Sequence, residues 1–132
     1  MNVADIRTGI ANALSSISSL RVYTSVPDSP QVPCAVIYPD TVQYGQAFSG
    51  EANVRMTIQV LTASVNTQAG QAELDGFCAD SGSTSIPAKI EANPTLGGAA
   101  VSASVTEMRN YGVMGDTTRY YSAELVVDVY AT

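Results

Sequence analysis

Two stretches of alternating residues set the terms for this fold. From Asn53 to Thr62, Val54, Met56, Ile58 and Val60 share one side of an extended chain, and Arg55, Thr57, Gln59 and Leu61 share the other. From Tyr121 to Tyr130, Tyr121, Ala123, Leu125, Val127 and Val129 again fall on one side. A period of two is that of a β-strand, whose side chains point to opposite faces in turn. Strands of this kind need neighbours for their backbones and a second layer over their apolar side.

Helical segments supply that layer. Asn2 can cap a first helix, with Asp5 in the favourable first turn, and Val3, Ile6, Ile10, Ala13 (or Leu14) and Ile17 follow at helical spacing. Leu20 to Tyr23 reads as a short strand, followed by a connection stiffened by Pro27, Pro30 and Pro33. Cys34 to Tyr38 is a compact apolar run ended by Pro39-Asp40, which fits a buried strand. Thr41 to Ala52 is polar and Gly-rich, with Tyr44 and Phe48 interleaved, and reads as a protruding hairpin or a loop. A second helix is predicted from an Asn66-Thr67 cap, carrying Ala69, Ala72, Leu74, Phe77 and Cys78. Ser85 and Pro87 open a third, with Ile86 and Ile90 inward. Leu96-Gly97-Gly98 turns the chain, Val101, Ala103 and Val105 alternate in a fourth strand, and Arg109-Asn110-Tyr111-Gly112 reads as a turn before the last strand. The order is helix, three strands, two helices, two strands. Short links between the early strands and between the last pair favour antiparallel pairing. The expectation is one α+β domain over residues 1–132: a single mostly antiparallel sheet of four to five strands with two to three helices packed on one face.

Composition narrows the chemistry. Charged residues make up 14% of the 132, against a typical value of about 25%, so the outside is either rich in Ser and Thr or partly covered by neighbouring subunits. The net charge is −6, and the six cations (Arg7, Arg21, Arg55, Lys89, Arg109, Arg119) are scattered, which does not suit tight binding to phosphates. An acidic surface would instead let DNA slide past. Histidine is absent, which removes the commonest general base and metal ligand; Cys34 and Cys78 form no zinc motif. No secretory segment precedes Val3 and no apolar run approaches the roughly 20 residues of a membrane helix, so a reducing compartment and two free thiols are expected.

Few residues combine into a reaction centre. Glu124 and Asp128 point to one side of the last strand and Glu107 ends the one before, so a carboxylate-dependent enzyme is one alternative. Alternating acids on the wet side of an antiparallel strand are far commoner. Ser49-Gly50 and Ser81-Gly82-Ser83 have no histidine to activate them, and the glycines match no phosphate-binding pattern. No catalytic, cofactor-binding or metal residue is assigned. Exposed aromatics with arginine are the better signal, because Tyr and Arg anchor protein interfaces. Tyr44 and Phe48 lie in one polar loop; Arg109, Asn110, Tyr111, Asp116, Arg119 and Tyr120 cluster around another. These eight are the candidate interface residues. A monomeric ligand-binding module is a further alternative.

The N-terminal MNVADIRTGIANAL, LRVY and VPDSPQVPCAVIYPD, the middle QAGQAELDGF, and AKIEANPTLGG, VTEMRNYGVMGD and YYSAELVVDVYA together resemble tail-terminator proteins of long, non-contractile-tailed bacteriophages. The likeness spans nearly the whole chain. It implies a structural virion protein, assembled in the host cytoplasm, that forms a homo-oligomeric ring, usually six-fold, on the last ring of major tail (tube) protein. Such a ring stops tube growth and offers a docking surface to the head-side connector or neck protein, while DNA passes through the lumen without specific binding. Some of Asp28, Asp40, Glu51 and Asp116 are expected to face that lumen. The resemblance brings no cofactor, metal or catalytic residues, and a neck or head-completion (head–tail adaptor) protein is the nearest alternative within the same class.

Overall fold

The computed structural model describes residues 2–25, 27–28, 31–45, 51–64, 68–115 and 119–131, with the backbone alone at 63, 64 and 68. The elements run α1 (Val3–Leu14), β1 (Arg21–Tyr23), β2 (Cys34–Tyr44), β3 (Ala52–Ser64), α2 (Gln68–Cys78), α3 (Ile86–Ala92), a 3₁₀ turn (Leu96–Gly98), β4 (Ser102–Met114) and β5 (Tyr120–Ala131). The five strands form one sheet in the order β1-β2-β3-β5-β4, with every pair antiparallel except β1 with β2. The fold is therefore α+β, with a mixed but mostly antiparallel sheet.

Local chemistry accounts for the helices. The Asn2 side chain accepts hydrogen bonds from the amides of Ala4 and Asp5 at 2.8 and 3.3 Å, capping α1. Ser85 caps α3 through the Ala88 amide at 3.0 Å, and its own hydroxyl donates to the Ala79 carbonyl. Ile6, Ile10 and Leu14 from α1, Leu74 and Phe77 from α2, and Ile86 and Ile90 from α3 are all buried in one cluster. Into that cluster the sheet sends Ala35 and Ile37, then Val54, Met56, Ile58 and Val60, then Ala123, Leu125, Val127 and Val129. All three helices thus cover the same face, and the alternating sides read from β3 and β5 are that face.

Four expectations need correction. The link between β1 and β2 is residues 24–33, too long for a tight hairpin, and the two strands run parallel, with Arg21 opposite Cys34. Pro39-Asp40 does not end β2; a register shift between Pro39 and Thr41 absorbs the proline and pairing continues to Tyr44 opposite Ala52. On α2, Ala69 and Ala72 face outward while Gly70, Leu74 and Phe77 are buried; the expected Asn66-Thr67 cap lies outside the described residues. Finally, Arg109-Asn110-Tyr111-Gly112 is no chain reversal. Asn110 takes a left-handed conformation (φ 55°), but this bulges β4, and pairing resumes at Gly112 opposite Ser122.

One close approach positions the N-terminal helix. At Gly9 the backbone of α1 lies directly against the 3₁₀ turn, and a Cβ there would sit 2.7 Å from that of Leu96. Leu96 itself is buried, at φ 50°, so the turn is held by packing from below as well as by Gly97 and Gly98, which also have positive φ.

Candidate assembly surfaces

Among the described residues no helix lies on the second face of the sheet. Its rows follow from the pairing. Val36, Gln59, Glu124 and Arg109 lie in line across β2, β3, β5 and β4; Tyr38, Thr57, Val126 and Glu107 form the next row, and Thr41, Arg55, Asp128 and Ser104 the one after. Carboxylates and arginines therefore meet across strands. Asp128 accepts from Arg55 Nε at 3.2 Å. Glu124 accepts from Arg109 Nε at 3.4 Å and from Asn110 Nδ2 at 2.8 Å, and Arg109 Nη2 reaches on to Asp40 at 3.4 Å.

That last bond spans a long way. Asp40 is on β2 and Arg109 on β4, with β3 and β5 between them, roughly 14 Å of sheet at ordinary strand spacing. The line joining them crosses Thr57 and Val126, both fully buried although no helix lies above. Burial opposes the Arg109 charge, but Asp40 and Glu124 outweigh it and hold the guanidinium above its usual pKa. Burial also raises the Tyr38 phenol in the same row, as do Glu124 and Asp40, with Arg109 acting the other way. Further along this face an open cavity of about 580 Å³ is lined by Thr41, Gln43, Arg55, Ser102, Ser104 and Asp128, among others.

The sheet edges are different in character. Among the described residues no strand lies beyond β4. On it Met108, Tyr111, Val113 and Met114 are 38–48% exposed. Met108 is opposite Leu125 and Val113 opposite Tyr121, so both lean to the helix side of the sheet. Tyr111 is tethered there too, its hydroxyl donating to Asp75 on α2 at 2.6 Å; burial and that bond raise its pKa. At the other edge β1 pairs with Cys34, Ala35 and Val36, so among the described residues no strand pairs with the outer edge of β2 from Ile37 onward, and β2 ends at Tyr44, 77% exposed.

The structure thus separates the candidate interface residues. Arg109 and Asn110 serve the polar face, bonded within their own chain. Tyr111 joins β4 to α2. Tyr44 stands on the opposite edge, at the opposite end of the sheet. Arg119 is exposed, and Tyr120 is half-buried where β5 begins, between Met114 and Ser64. Phe48 and Asp116 lie outside the described residues. Sequence reasoning missed Met108, Val113 and Met114, although apolar residues at both ends of MRNYGVM were a usable signal. It also missed Asp75 as the partner of Tyr111.

Of the three carboxylates considered for catalysis, Glu124 and Asp128 do share a face, each bonded to an arginine. No group of three or more His, Cys, Asp or Glu that could hold a metal occurs among the described residues. Cys34 and Cys78 are free thiols, the first buried and the second half-buried. Comparison with protein-family models and with curated proteins finds no match to this chain.

Proposed function

We propose that this chain is a non-catalytic assembly protein, a ring subunit that caps the head-proximal end of a phage tail tube. In that role it stops tube polymerisation and offers a docking surface to the head-side connector. The observation that carries the reading is the pairing of two unlike surfaces on one sheet: an edge strand with four large, partly exposed apolar side chains, and a second face that carries charged pairs and, among the described residues, no helix. A closed ring of identical subunits needs different patches that complement each other, and the exposed apolar strand is the kind of surface that marks protein contacts. The likeness of nearly the whole sequence to tail terminators directs the reading to a tail.

The polar face suits a lumen that DNA traverses. Asp40, Glu107, Glu124 and Asp128 line it with Arg55 and Arg109, so acid exceeds base, and phosphates would be repelled more than held. The engagement of Glu124 and Asp128 by arginines favours this structural reading over a carboxylate-dependent enzyme. Purified tail tubes provide the test. Electron microscopy should show the protein at one end of each tube, and further tube subunits should add nothing beyond it. Binding to a head-side connector with no effect on growing tubes would move the assignment to a neck protein.

A further inference from the structure

We propose that the open cavity on the second face of the sheet is a binding site for a neutral saccharide of one or two rings. The inference goes beyond the assembly reading and does not depend on it.

The fold makes the cavity. Asp40 on β2 and Arg109 on β4 bond at 3.4 Å although β3 and β5 lie between them. An arginine side chain does not cross that span on a flat sheet, so the outer strands curl toward one another and this face is concave. The same curl accounts for Thr57 and Val126, fully buried in the middle of the face. The Arg109–Asp40 bond crosses the hollow as a strap. Beyond it the strands set two rows side by side: Thr41, Arg55, Asp128 and Ser104, then Gln43, Asn53, Tyr130 and Ser102. Thr41, Ser102 and Ser104 are short and stand on the two outer strands, which leaves a cavity of about 580 Å³ between them. That volume lies in the range of about 300–1,000 Å³ usual for small-molecule sites.

The lining selects the ligand. Arg55 and Asp128 neutralise each other through Nε and Oδ1 at 3.2 Å, so the cavity offers no net charge to an anion or a cation. Around them stand three hydroxyls, from Thr41, Ser102 and Ser104, and two carboxamides, from Gln43 and Asn53. An apolar ligand would strip these groups of water and return nothing. A sugar hydroxyl both donates and accepts, so it can replace the water it displaces. Two neighbouring sugar hydroxyls can donate to the second Asp128 oxygen and accept from the outer nitrogens of Arg55, which the Nε–Oδ1 bond leaves over. Tyr130 supplies the one aromatic ring among the described lining residues. It is half-buried and its hydroxyl donates to Glu51, so the ring is held in place and its face can take the C–H side of a pyranose.

The test is a titration of the isotope-labelled whole protein followed by NMR. Glucose, N-acetylglucosamine and maltose are the neutral probes, and glucose 6-phosphate is the charged one. At least one neutral probe should shift the Asn53 and Gln43 side-chain signals along a saturating curve. Its dissociation constant should be millimolar, since hydrogen bonds to the sugar replace bonds to water. Ser104→Leu, which fills the hollow, and Asn53→Ala, which removes a polar partner, should each weaken that binding about fivefold or more. Both side chains are exposed, so the melting temperature should not change; if Ser104→Leu melts lower, Asn53→Ala decides the matter. Failure of every neutral probe to saturate overturns the proposal, as does binding that Asn53→Ala leaves unchanged. Tighter binding of glucose 6-phosphate than of glucose also overturns it, because the site would then be selecting charge.

Discussion

A methyl group at Gly9 would strike the Leu96 carbonyl and sit 2.7 Å from Leu96 Cβ, and backbone on both sides leaves nothing flexible to yield. Gly9→Ala should cost roughly 2–3 kcal/mol, the upper range for overpacking, read as a lower midpoint in urea unfolding. Thr57 is the opposite case. Its hydroxyl is buried with no hydrogen-bond partner among the described residues. Thr57→Val keeps the branched shape and removes an unsatisfied group, so it should raise stability by about 1 kcal/mol. Cys78 gives a pH-dependent test. Burial, and then the nearby Asp75, push its thiol from 9.0 up to about 11. The folded protein therefore keeps this proton where the unfolded chain has lost it. Its contribution to stability is complete below pH 9 and is lost as pH rises through about 11. Alkylation of Cys78 in the native protein should be slow at neutral pH and accelerate toward pH 11; rapid labelling at pH 7 would contradict the burial.

β4 is the element where local chemistry and tertiary pairing diverge. Tyr111 combines two roles that substitution can part. Tyr111→Phe removes the bond to Asp75 and should cost about 0.5–1 kcal/mol of folding stability while leaving self-association unchanged. Tyr111→Ala should weaken association as well. Arg109→Ala breaks two ion pairs at a face about one-third exposed, so its effect on the urea midpoint should be small and should shrink with added salt. This strand also shows what a sequence displays and what it conceals. The alternation in β3 and β5 was plain because both strands are central and bury one side along their whole length. Asn110 and Gly112 carry turn chemistry, and Asn110 does take a turn-like conformation; only β5 alongside makes it a bulge within a continuing strand. Pro39 misled for the same reason, since pairing with β3 carries the chain past it. The parallel placement of β1 depends on the route of residues 24–33, which no periodicity records. On α2 Gly70, Leu74 and Phe77 form the buried i, i+4, i+7 stripe, which leaves Ala69 and Ala72 off that face.

For the assembled particle, the second face of the sheet has the most direct consequence. If it lines a channel, reversing its charge should retard DNA and leave tail building untouched. Glu107→Lys is the suitable change, because that side chain is exposed on β4. Particles carrying it should have tails of normal length but release DNA more slowly when triggered, with the difference fading as salt screens the new charge. Normal ejection kinetics at low salt would remove this face from the DNA path. The strand order holds one more implication. β5 follows both β3 and β4 along the chain, yet it is clasped on both flanks by them. Before residues 120–131 emerge from the ribosome those two neighbours have nothing to join them, and the nascent chain carries an open slot through its middle. A prematurely stopped copy is thus left unfinished at its centre. A copy lacking that strand should therefore show no cooperative melting transition.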